Sequence, residues 1–98
     1  MFLANLTYVK PLSEVDRYLE EHVAFLDRYY ATGQFICSGR KTPRVGGVIL
    51  CRAKTLEEMQ GIIQEDPFHQ HEIADYELIE FTASKCADGF RCFMEDTN

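Results

Sequence analysis

The order of hydrophobic patterns along the 98 residues predicts a single α+β domain built as β-α-β-β-α-β. Three observations predict it. Short runs of apolar and β-favouring residues lie at 2–9, 35–38, 48–51 and 75–82. Segments of helical spacing follow the first run and the third. Stop and turn signals fall between the elements: Lys10-Pro11, Gly33, Pro43 with Gly46-Gly47, and Asp66-Pro67. Hydrophobic residues make up 46% of the chain and no stretch is of low complexity, which suits one modest core.

The first strand, residues 2–9, ends at Lys10-Pro11. Ser13, with Asp16 three residues on, resembles a capping box and opens a long helix that runs to Thr32 and stops at Gly33. Along it Val15, Tyr18, Leu19, Val23, Phe25, Leu26, Tyr29 and Tyr30 fill a face roughly 160° wide, at about 100° per residue. Asp16, Arg17, Glu20, Glu21, Asp27 and Arg28 fall on the other face. Phe35-Ile36-Cys37-Ser38 is a short strand and Gly39 to Gly47 a loop. Val48-Ile49-Leu50-Cys51 is continuously apolar and reads as a strand covered on both faces.

Thr55 and Glu58 form a second capping box. The helix they open carries Leu56, Met59, Ile62 and Ile63 on one face, and Asp66-Pro67 ends it because the residue before proline is pushed out of the α region. Residues 75–82 are the last strand. The domain is expected over 1–82, with 83–98 a tail that offers Phe90, Phe93 and Met94 as docking anchors. The element order is that of the split βαβ, ferredoxin-like fold: a four-stranded antiparallel sheet with two helices on one face. The strands are apolar on both faces, with Phe2, Ala4, Leu6 and Tyr8 opposed by Leu3 and Val9, and Ile79 and Phe81 opposed by Tyr76 and Leu78. An uncovered apolar face predicts a homodimer packed sheet to sheet.

A net charge of −6 argues against a nucleic-acid partner, which needs a basic face. The N-terminal residues lack the pattern of a signal peptide, and no apolar run approaches the ~18 residues of a membrane span. The expectation is a cytoplasmic protein without a membrane partner, its four cysteines (Cys37, Cys51, Cys86 and Cys92) reduced. No Cys-x-x-Cys spacing is present to hold zinc.

One residue breaks the pattern of the long helix. His22 falls near the middle of its apolar stripe, where an unpartnered polar group costs about 1–3 kcal/mol. The fold must supply it with a partner. Continuing the second helix's wheel from Leu56 places Asp66 on the apolar side, at a helix C-terminus whose dipole disfavours negative charge. Both helices pack on one sheet face, so the two side chains can meet there. The carboxylate would fix the imidazole's tautomer and the imidazole would be poised for proton transfer. The structural alternative is a satisfied core histidine and an Asp-Pro that merely starts a turn.

His22 with Phe25-Leu26 and Gly33, then Ser38-Gly39, Gly46-Gly47 before a strand, and Asp66-Pro67-Phe68 before Tyr76-Glu77-Leu78 form a combination that resembles the YciI-like (YCII-related) family. The resemblance covers residues 2–85. It is nearest to a subgroup with Ser-Gly-Arg-Lys at 38–41, Pro-Arg at 43–44 and Asp-Pro-Phe-His-Gln-His at 66–71. It implies a dimeric ferredoxin-like α/β barrel with an active-site histidine and aspartate, which match His22 and Asp66. The chain departs from the pattern at Arg40, where many members carry proline, and at Glu72, where relatives often show glycine.

Arg40-Lys41-Thr42-Pro43-Arg44 gathers three of the ten cations in five positions. Arg40 and Arg44 would grip a substrate carboxylate or phosphate, or else the segment is a solvated hairpin loop. Ser38 would donate to the ligand or to the pair; no nucleophile elbow surrounds it. Phe68 and His69 complete the expected substrate-binding set. A metal reading of His69-Gln70-His71 has only Glu65 or Glu72 nearby as a third ligand, so turn residues, or a second acid/base at the cavity mouth, account for them better. No metal or other cofactor is called for. Gly46-Gly47 leads into a strand and not a helix, so it is not a phosphate cradle.

The function these residues suggest is a cofactor-independent enzyme of lyase or isomerase type. It would act on a compact anionic or cyclic small molecule held between helices and sheet, with His22 moving a proton and Asp66 orienting it. The alternatives are a non-catalytic metabolite-binding module and a purely structural His–Asp pair.

Overall fold

The computed structural model describes residues 1–94. Strand β1, Phe2–Tyr8, shows why the chain forms a two-faced sheet: Phe2, Ala4 and Leu6 are buried, while Leu3, Asn5 and Thr7 point to the opposite face. Helix α1 spans Leu12–Ala31. It starts a residue before Ser13, because the Pro11 carbonyl accepts from the amides of Glu14 and Val15 and leaves Ser13 inside the first turn. The Ser13–Asp16 capping box therefore does not form; Pro11 holds the cap position without a side-chain bond. Gly33 ends the helix at φ 82°, in the left-handed region that favours glycine, and its amide donates to the Tyr30 carbonyl.

Strands β2, Phe35–Arg40, and β3, Gly46–Cys51, extend beyond their apolar runs into what reads as loop. Gly46 explains part of this. A Cβ at that position would lie 1.8 Å from the Leu6 carbonyl oxygen, so only glycine lets β3 come up against β1 there. Helix α2, Leu56–Ile63, begins as expected, with the Thr55 hydroxyl accepting from the Glu58 amide. It stops at Ile63, short of Asp66, and a third helix, α3, occupies Pro67–Gln70 before strand β4, Ala74–Glu80.

The sheet order is β2-β3-β1-β4 with every pair antiparallel, the arrangement of the split βαβ fold. Register fixes which side chains share a face. Leu6 pairs with Tyr76 on one side and Gly47 on the other, and Ser38 pairs with Ile49. The core forms where Phe2, Ala4, Leu6, Ile49 and Cys51 of the sheet meet Val15 and Phe25 of α1, Met59, Ile62 and Ile63 of α2, and Phe68 of α3. On the opposite face Val48 and Ile79 are 37% and 43% exposed, so β3 is not covered on both faces within one chain. No helix among the described residues is long and apolar enough to cross a membrane.

Beyond β4 the chain makes a 3-10 turn over Asp88–Phe93, in which the rings of Phe90 and Phe93 lie 5.3 Å apart. Residues 95–98 of the expected tail lie outside the described residues. The four cysteines are unpaired, Cys51 buried and its thiol pushed up to about 12 by burial.

Candidate functional site

Helix α1 delivers His22 to the sheet side because Val15, His22 and Phe25, spaced seven and three residues apart, are its buried positions. Asp66 arrives by a different route. It is not the last turn of α2 but the N-cap of α3: its Oδ1 accepts from the Phe68 amide at 3.0 Å, and Pro67 occupies the first helical position. The dipole conflict expected at the end of α2 is therefore absent. The same Oδ1 lies 2.7 Å from His22 Nδ1. Asp66 is fully buried and His22 is 9% exposed.

Two aromatic residues complete the surroundings. The Phe68 ring stacks flat on the imidazole, 4.0 Å between centroids and 6° between planes. From β4, the Tyr76 hydroxyl donates to the second carboxylate oxygen, Oδ2. Burial, and next the charge of Asp66, push the Tyr76 phenol well above its ordinary range, so it keeps its proton and remains a donor. With Nδ1–H directed at the carboxylate, the imidazole lone pair falls on Nε2. That atom has no hydrogen-bond partner among the described residues, and no buried polar side-chain atom among them is left unsatisfied, so Nε2 opens to solvent space.

The space it opens to is a cleft of about 170 Å³ between α1 and the inner face of β1, β3 and β2. Leu6, Leu19, Val23, Leu26, Ile49 and Phe68 supply apolar walls; His22, Tyr8, Ser38 and Arg40 supply the polar groups. Ser38 and Arg40 stand on the same face of β2, two residues apart. The Ser38 hydroxyl is 2.6 Å from the hydroxyl of Tyr30 in the last turns of α1. The Arg40 guanidinium makes no ion pair or hydrogen bond among the described residues.

Of the expected site residues, the structure brings His22, Asp66, Ser38, Arg40 and Phe68 to this cleft or its immediate backing. It does not bring Arg44 or His69. Arg44 closes the β2–β3 loop onto α1 through a 2.6 Å contact with Asp16, a bond that raises the already high affinity of its guanidinium for the proton. His69 is exposed beyond Asp66, its ring in a T-shaped contact with Tyr76 at 5.6 Å, and His71 stacks on Tyr18 at 4.1 Å. Among the described residues no three or more of His, Cys, Asp and Glu gather as metal ligands do. Sequence reasoning missed Tyr76 and Tyr30 as site residues. The signal that finds Tyr76 is register, which the structure supplies: Leu6, plainly core, faces it across the β1–β4 ladder.

Fold and cleft together define a class: a small ferredoxin-like α+β protein with one histidine–carboxylate pair set between helix and sheet. The chain belongs to the YCII-related domain family, whose model matches residues 1–82. No curated protein matches it. Among solved structures it is similar to 5-chloro-2-hydroxyhydroquinone dehydrochlorinase (TftG) from Burkholderia phenoliruptrix AC1100, in complex with 2,5-dihydroxybenzoquinone, with a TM-score of 0.69. The two share 15% identity, over 83% of this chain and 93% of that one. At that identity the likeness is one of fold.

Proposed function

We propose that this protein is a cofactor-independent enzyme that moves a proton on a compact, single-ring or similarly small anionic molecule, in an elimination or an isomerisation. The observation that carries this reading is the His22–Asp66 pair, with Nδ1 spent on a buried carboxylate and Nε2 open to an apolar cleft. An orienting carboxylate, an imidazole base and a largely apolar cleft to hold the substrate against it are parts that general-base catalysis uses. The cleft volume is close to the ~150 Å³ of an engineered protein cavity that admits benzene, so one small ring suits it.

In the reaction, neutral His22 takes a proton from an acidic C–H on Nε2, and Asp66 stabilises the imidazolium that results. The electron pair of the broken C–H bond either forms a double bond as a leaving group departs with its bonding pair from the neighbouring carbon, or passes into a conjugated carbonyl whose oxygen becomes an oxyanion. In the isomerisation the imidazolium then returns the proton at a second carbon. Arg40, with Ser38 and Tyr30 nearby, would hold the substrate's anionic oxygen, a role that suits a planar cation with no other partner among the described residues. The similar dehydrochlorinase, whose name denotes an elimination and whose bound ligand is a six-membered ring, supports the same substrate size and reaction class.

The uncovered sheet face, with Leu3, Val48, Leu50 and Ile79 on it, supports a homodimer joined sheet to sheet, as in a dimeric α/β barrel, and the composition suits a cytoplasmic protein. A binding module without turnover is the second reading; in its favour, the cleft's lining holds one imidazole and no carboxylic acid. A thermal-shift screen of small carboxylic, phenolic and phosphorylated compounds on wild type and His22→Ala, followed by turnover assays of the hits, separates the two. Catalysis predicts hits that wild type converts and His22→Ala binds but leaves unchanged; hits that neither protein converts favour the module.

A further inference from the structure

Asp66 is held from more directions than its contact with His22 requires. Its Oδ1 serves both His22 Nδ1 and the Phe68 amide, which fixes that oxygen relative to α1 and α3. Its Oδ2 is bound by the hydroxyl of Tyr76, which enters from the opposite side on an edge strand of the sheet. A carboxylate held only through Oδ1 can still swing its plane about the Cβ–Cγ bond and turn that oxygen's lone pair off the Nδ1–H direction; a donor on Oδ2 fixes the plane as well. Bound at both oxygens, it cannot turn without breaking a charge-assisted bond. The Tyr76 ring is itself placed by register, opposite Leu6 on β1, and it packs against the His69 ring with the two planes at 72°.

We propose that Tyr76 is a positioning residue of the His22–Asp66 pair: its hydroxyl clamps Oδ2, keeps Oδ1 on Nδ1–H, and so commits Nε2 to be the base that faces the cleft. The inference rests on the reading of His22 as that base, but it concerns the ring's tautomer and proton affinity, which are measured without any substrate. The clamp has a definite consequence for the charge balance. A donor on Oδ2 shares out the negative charge of Asp66 and weakens its pull on the imidazolium. Tyr76 therefore restrains His22 from charging as well as orienting it.

The remaining charged or titratable groups facing His22 are Tyr8 from β1 and Arg40 from β2, with Ser38 between them and the helix. On its own helix, Tyr18 one turn away stacks with His71 from the end of α3, and His69 of α3 is exposed against Tyr76. Removing the Tyr76 hydroxyl leaves every one of these in place, so a change in His22 reports on the clamp.

The experiment is an NMR titration of ¹⁵N-labelled histidine side chains in the full chain, with His22 assigned by His22→Gln. Above its midpoint, wild-type His22 should carry its single ring proton on Nδ1. In Tyr76→Phe the His22 midpoint should rise by about one pH unit, the size expected for the loss of part of a hydrogen bond to a charged group. Where Tyr76→Phe does not fold, 3-fluorotyrosine introduced at position 76 keeps the ring and strengthens the donor, and the midpoint should fall. A His22 midpoint and tautomer that stay at their wild-type values in either variant overturn the proposal, even if stability changes. A titration that moves as stated while no screened compound is ever converted leaves the clamp in place and counts against the enzymatic reading alone.

Discussion

The two walls of the cleft are built on opposite terms. On the α1–α3 wall the polar groups are fixed by buried bonds and only Nε2 is left open: His22 Nδ1 is committed to Asp66, Asp66 to Phe68 and Tyr76, and the imidazole face to the Phe68 ring. On the β2 wall Ser38 and Arg40 are exposed; Ser38 has a single side-chain partner in Tyr30, and the Arg40 side chain has none among the described residues. The first wall has paid its ordering cost during folding, so chemistry done there starts from a fixed geometry. The second retains side-chain freedom and an unpaired charge, so it can adapt to what binds. A site divided in this way has its reaction set by one wall and its choice of ligand by the other.

Substitutions that break this division should have effects in a set order. Asp66→Asn should be the most severe. It keeps the shape but removes the charge that fixes the tautomer, and turnover of any compound found by the screen should fall by about 10²–10⁴-fold. It also replaces charge-assisted bonds in a fully buried site, and chemical denaturation should show a loss of about 1–3 kcal/mol. Arg40→Ala should act on the other wall alone: KM should rise about tenfold for an anionic compound while kcat stays within a few-fold of wild type, a split read directly from steady-state kinetics. A fall in kcat equal to that of Asp66→Asn would show that the two walls are not separable.

The smallest effect lies outside the cleft and has the opposite sign. Glu72 holds φ 54°, in the left-handed region where a non-glycine residue costs about 1 kcal/mol or somewhat more. Glu72→Gly should raise stability by up to about 1 kcal/mol, or about 4–8 °C in Tm for a domain of this size, and leave kcat and KM unchanged.

Which parts of this were legible in the sequence follows from the physics of each. Periodicity places β1 and α1 to within two residues, since both elements bury one face and expose another. It places His22 correctly for the same reason. Asp66 is the right residue reached through the wrong element. The wheel of α2 carries on past Ile63 on paper, whereas the chain breaks there and restarts with Asp66 as a cap; Asp-Pro is itself an N-cap followed by a favoured first helical residue, and that signal points to α3. Arg44 and His69 carry suitable chemistry but no periodicity, and only the tertiary path of the loops decides that one reaches Asp16 and the other faces away from the cleft. Tyr76 is hidden because a tyrosine on an amphipathic strand looks like ordinary packing until its register partner is known.

The central claim is that His22 Nε2 exchanges a proton with carbon in the bound molecule. The measurement that meets it most directly is deuterium incorporation, followed by NMR in D₂O, for the small ring compounds and anions that stabilise the wild-type protein. The account predicts that wild type places deuterium at one acidic carbon of at least one such ligand, and that His22→Ala binds the same ligand without exchanging it. Exchange at equal rates in both proteins, or ligands that bind in the cleft and never exchange, would contradict it.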